Sequence, residues 1–105
     1  MTVWLTKASQ KDLSGANAFG PRMVMFDKTV SPLNVSAQKE VLRTLILPAS
    51  YSDDFLLLTG PQIMVVTTVS EWLAYHGKLR VLAYKDSTGE YVEKLYEVLT
   101  TPRMK

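Results

Sequence analysis

The chain has 105 residues, 47% of them hydrophobic and 21% charged, which suits one small folded domain and neither a disordered nor a fibrous protein. Its net charge of +2 comes from 12 basic against 10 acidic residues spread along the chain, so nucleic acid is permitted by charge and not indicated by it. Cysteine is absent, which excludes disulfides, thiolate chemistry and cysteine-ligated zinc. No apolar run reaches bilayer length and Met1–Lys7 lacks the pattern of a signal peptide. The expectation is a soluble protein of the cytoplasm with no membrane contact.

Thr2–Thr6 reads as a first strand, with Val3 and Leu5 on one face and Trp4 on the other. Lys7–Pro21 is polar and small, with Ser14-Gly15, Asn17 and Gly20-Pro21 favouring turns, and reads as a connecting loop. Arg22–Asp27 is a short apolar run that fits a strand covered on both faces. After Pro32, Ser36 is placed to cap a helix whose apolar side is Val41, Leu42, Leu45 and Ile46, with Lys39, Glu40, Arg43 and Thr44 turned to water and Pro48 ending it.

Phe55–Leu58 is apolar without alternation, as a central strand under helices is, and it runs into Thr59-Gly60-Pro61. From Pro61 to His76 we read a helix. Pro61 suits a first helical position, Val65, Val69, Trp72 and Leu73 share a face, and Gly77 offers a terminus. Strand is the competing reading, because Ile63, Val65, Val66, Thr67, Thr68 and Val69 are β-branched. As a helix its first two turns are apolar nearly all round and require cover on more than one side. Leu79–Lys85 is a further strand, and Asp86–Gly89 turns it into Glu90–Leu99 as a hairpin. The alternative for that last segment is a helix with Ser87 and Glu90 as its capping box. Thr100–Lys105 reads as a frayed tail.

These elements amount to a single α/β domain over 1–105, a mixed sheet of about five strands with two helices in the order β-β-α-β-α-β-β. Asp12–Gly15 in a polar loop, Ser52–Pro61 leading into an apolar helix, and Gly77–Asp86 with Thr88–Tyr91 give a pattern that resembles short hypothetical proteins of bacteriophage and bacterial genomes. Those commonly have Gly-Asp-Pro where this chain has Thr59-Gly60-Pro61, and a Lys-Trp-Asp-Arg type of turn where it has Tyr84, Lys85, Asp86 and Ser87. The resemblance implies a viral or mobile-element source, hence the cytoplasm of a host cell, and it carries no assigned activity.

Three functional readings follow. The favoured one is a non-enzymatic accessory protein that contacts a host or viral protein and itself forms a homo-oligomer, since the apolar helix and the open strand edges require cover. A second is a binder of a small anion or nucleotide at the start of the Gly60-Pro61 helix, where unpaired backbone N–H groups would be flanked by Thr59 and Gln62. A third, less favoured, is single-stranded nucleic acid on the hairpin, with Lys78, Arg80 and Lys85 for phosphates and Tyr84 and Tyr91 for stacking. We expect no cofactor, metal or catalytic residue. His76 reads as a cationic cap at a helix end, a metal site would need it together with Asp53 or Asp54, and those aspartates read as solvated charges closing a loop.

Overall fold

The computed structural model describes residues 1–9 and 13–98; the tail expected over 100–105 lies outside the described residues. β1, Val3–Lys7, obeys the period of two: Val3 and Leu5 enter one core and Trp4 the other. β2 (Arg22–Phe26) follows, then α1 (Val35–Val41), β3 (Phe55–Leu57), α2 (Gln62–His76), β4 (Lys78–Lys85) and β5 (Glu90–Glu97). The sheet runs β2-β1-β3-β4-β5, with β1 to β4 parallel and β5 antiparallel to β4. This is the α/β domain with a mixed five-stranded sheet that the sequence predicts.

Sheet order reverses direction at β1, and crossovers of one hand then place the β1–β2 connection on the opposite face from the other two. α1 and α2 cover one face over Trp4, Leu56, Met64, Trp72 and Leu79. A short 3-10 helix, Ser14–Phe19, covers the other over Val3, Leu5, Phe55 and Leu57. The segment read as a plain loop therefore supplies a layer of the core. Gly15 allows the close approach, since a Cβ there would sit 3.2 Å from the Tyr91 ring.

β2 departs from its expected burial. Met23 is 53% and Val24 45% exposed, because β2 is an edge strand and only Met25 and Phe26 are covered. In α1 the cap is Asn34 rather than Ser36, its side chain accepting the Ala37 N–H at 3.0 Å. The helix then widens into a π turn over Leu42–Ile46. That extra residue shifts the phase, so Leu42 and Ile46 are buried while Leu45, expected on the same face, is 65% exposed. Arg43, read as solvent-facing, reaches back to the nearly buried Glu71 of α2 through two hydrogen bonds, the second at 3.1 Å.

α2 forms despite its β-branched run, because tertiary packing overrides propensity. Its buried face is Met64, Thr67, Thr68, Glu71 and Trp72, one step round from the face expected. Thr67 and Thr68 donate to Ile63 O at 2.9 Å and Met64 O at 2.8 Å, which satisfies both hydroxyls inside the core. Pro61 stands just before the helix with extended backbone rather than in its first position. Among the described residues nothing supplies the second-side cover expected for this helix at Ile63 and Val66, which are exposed. Gly77, left-handed at φ 78°, ends the helix with its N–H on Leu73 O. Tyr84 pairs across the hairpin with Tyr91 and Leu79 with Tyr96, so the last element is a strand and not the alternative helix.

Candidate functional site

In an open α/β sheet the place to search is the carboxyl end of the strands, where the strand order reverses, here between β1 and β3. That crevice is closed. Thr59 Oγ1 donates to Lys7 O and accepts the Lys7 N–H at 3.3 Å, zipping the two strand ends together. Gly60, at φ 90°, lies so close that a Cβ would stand 2.8 Å from Lys7 Cβ. Gln62 is exposed in the first turn of α2, which has no side-chain cap, and the first backbone bond of the helix is Val65 N–H to Pro61 O at 3.2 Å.

Beside the closed crevice, on the face of the 3-10 helix, is a cavity of about 470 Å³. Leu13, Leu57 and Leu82 form its apolar floor, while Ser9, Thr59, Tyr84, Asp86 and Tyr91 stand around it. The two tyrosine rings meet edge to face with centroids 5.3 Å apart. Asp86 is the only charged side chain among the described residues that line it. Thr59 from the corner and Tyr84 and Tyr91 from the hairpin are thus brought to one place. Gly60, Gln62, Lys78, Arg80 and Lys85 do not line it. The sequence shows Asp86 only as part of a turn; in the structure it is exposed, directly after β4, at the rim of this cavity.

The basic residues of the hairpin lie elsewhere, and Lys78 and Arg80 are engaged. Lys78 Nζ is 2.6 Å from Asp53 Oδ1. Arg80 forks onto Glu93 at 2.6 and 2.9 Å, donates to Asp53 O at 2.9 Å, and lies 4.4 Å from the centre of the Phe55 ring. The hydrogen bond from Arg80 holds the Glu93 carboxyl below its ordinary range, and Lys78 does the same for Asp53. Lys85 is exposed opposite Glu90. Arg80 and Tyr84 are separated by four residues of strand, roughly 13 Å.

His76 is not the cationic cap expected. Its Nε2 lies 2.8 Å from Ser50 Oγ, whose one hydroxyl proton goes to Leu47 O at 2.8 Å, so the ring donates to Ser50. Burial between Trp72 and Tyr75 pushes the imidazole below its usual 6.5, against the opposing pull of Asp54. Asp54, read as solvated, is 1% exposed and accepts N–H groups of Thr2 (2.9 Å), Trp4 (3.0 Å) and Tyr51 (2.9 Å). The Ser50–His76 pair escaped the sequence reading because its partners are 26 residues apart in no recognised motif. Among the described residues no three His, Cys, Asp or Glu side chains gather to hold a metal, and no helix is long and apolar enough to cross a membrane.

A family model described as Phage Pam3 gp32-like protein matches residues 5–98 of the chain. No curated protein and no solved structure matches it.

Proposed function

We propose that this chain, which belongs to the Phage Pam3 gp32-like protein family, is a small non-enzymatic accessory protein of the host cell cytoplasm that acts by protein–protein contact, taking a basic side chain of its partner into the cavity at the carboxyl end of the sheet. One observation carries the reading: an apolar floor, a tyrosine pair and Asp86, the single carboxylate among the described residues that line it, share one cavity. A lysine or arginine fits that combination, with its methylene stem on Leu57 and Leu82, its cation against the tyrosine rings and its charge met by Asp86. An anion is disfavoured there by the same carboxylate. The small-anion reading at the start of α2 has less behind it, since Thr59 spends its hydroxyl on Lys7.

The test is an amide-shift titration of the labelled protein with N-acetyl-arginine amide and, separately, with inorganic phosphate. Saturable shifts at Thr59, Tyr84, Asp86 and Tyr91 with the arginine compound, lost in D86N, are expected. Shifts at Gln62, Ile63 and Met64 with phosphate would move the reading to the anion site, and no saturable shift with the arginine compound would overturn it.

A further inference from the structure

Among the described residues the sheet has two open edges, β2 and β5, and they differ in how they are guarded. β5 carries Glu90, Glu93, Lys94 and Glu97, the charge that natural edge strands use to repel pairing. β2 reads Arg22-Met-Val-Met-Phe26, with a single charge at its start and with Met23 and Val24 exposed. The β2 edge is the one open to another strand.

The direction of its hydrogen bonds follows from the ladder. Val3 donates to Pro21 O, and residues of a strand alternate in the side to which their N–H and C=O point. Met23 and Met25 therefore face β1, while Arg22, Val24 and Phe26 turn both of their backbone groups outward. A two-fold axis perpendicular to the sheet at Val24 makes this set complementary to itself. Val24 exchanges both bonds with the partner's Val24, and Arg22 exchanges both with the partner's Phe26, so no outward group of the strand is left over. The operation keeps the helices of both copies on one side. No like charges meet: Arg22 faces the partner's Phe26 and comes within one residue of the partner's Asp27.

We propose that β2 pairs antiparallel with the β2 of a second copy about this axis, joining the two sheets into one. α1 is the helix that packs on β2, and Val35 and Leu45 on its segment are exposed in the single chain. The contact uses a different surface from the carboxyl-end cavity and does not depend on the reading of that cavity. The assembly is a closed dimer, as an isologous contact requires.

The experiment is sedimentation equilibrium of the wild type, V24K and D86N. V24K puts like charges on the axis while leaving the β1 ladder untouched, since Val24 points its backbone away from β1. A dimeric wild type and D86N, with V24K a monomer of unchanged circular dichroism, is the expected result. A monomeric wild type, or a V24K that remains dimeric, overturns the proposal. Amide exchange of the wild type gives an independent reading that needs no variant: Arg22, Val24 and Phe26 should exchange slowly in the concentrated protein and fast on dilution, and equal rates at both concentrations overturn the assignment.

Discussion

The indole N–H of Trp4 donates to Asp54 Oδ2 at 3.0 Å across 50 residues of chain. The other oxygen takes the Thr2 N–H and Oδ2 also takes that of Tyr51, so one carboxylate fastens the start of β1 to the entry of β3. Asp54→Ala strands these donors in a buried place and should cost about 3–5 kcal/mol. Asp54→Asn keeps one acceptor oxygen and should cost about 1–3 kcal/mol. Urea unfolding checks both, with an unchanged m value showing that the native state stays compact. Equal costs for the two substitutions would mean that the carbonyl oxygen of Asn contributes nothing.

Gly60 and Gly77 both have positive φ, at 90° and 78°, yet they are constrained differently. At Gly77 a Cβ meets nothing within 4 Å, so Gly77→Ala faces only the left-handed backbone penalty, about 1–2 kcal/mol. At Gly60 the same methyl would also collide with Lys7 and press apart the joint between β1 and β3. Gly60→Ala should cost about 2–4 kcal/mol. Thermal melts of the pair give the order directly, and a Gly77 variant that is the less stable of the two would show the Lys7 contact to be soft.

What could be read from the chain beforehand divides along a physical line. The Gly60-Pro61 corner, the Gly77 terminus and the alternation of Val3, Trp4 and Leu5 are local signals, and the structure has them in place. The role of Asp54 is not local, since its donors come from Thr2 and Trp4 on another strand, and a neighbouring Asp53 made both look like loop charges. The slip of Leu45 to the surface arises from a π turn that no periodicity of 3.6 anticipates. Thr67 and Thr68 were read as strand formers, and their burial depends on bonds to carbonyls four residues back, which exist only once the helix does. Of the candidate site, the tyrosines and Thr59 were legible as residues, but their meeting in one cavity depends on the order β1-β3-β4-β5.

Arg80 is the most engaged cation of the hairpin. Its guanidinium forks onto Glu93, holds Asp53 O and stacks near Phe55, and its pKa is raised chiefly by the Glu93 hydrogen bond. Arg80→Ala should lower stability by about 1–2 kcal/mol, the range of a partly exposed ion pair with an aromatic contact. Arg80→Lys retains the charge and loses the planar fork, so it should recover less than half of that. Repeating the unfolding in high salt separates the parts: the Glu93 share shrinks with screening and the Phe55 share persists. A loss that vanishes entirely in salt would leave the ring contact without weight.

His76 should make stability depend on pH in a window of its own. Burial lowers its pKa in the folded chain below the 6.5 of the free side chain, with Asp54 opposing and Lys78 assisting, while Ser50, Trp72 and Tyr75 surround it without charge. Below pH 6.5 the unfolded chain then binds a proton that the folded chain does not, so stability falls as pH falls, until the folded-state pKa is passed and the slope ends. The carboxyls of Asp53, Glu71 and Glu93 are depressed by Lys78, Arg43 and Arg80, so their contributions are full above the ordinary carboxylate range and are lost only at lower pH. The His76 window opens at a higher pH than theirs. His76→Gln keeps a donor for Ser50 but cannot titrate, and its urea midpoint should be flat from about pH 7 to 5.5 while that of the wild type declines. Parallel curves for the two proteins would show that the imidazole titrates equally in both states.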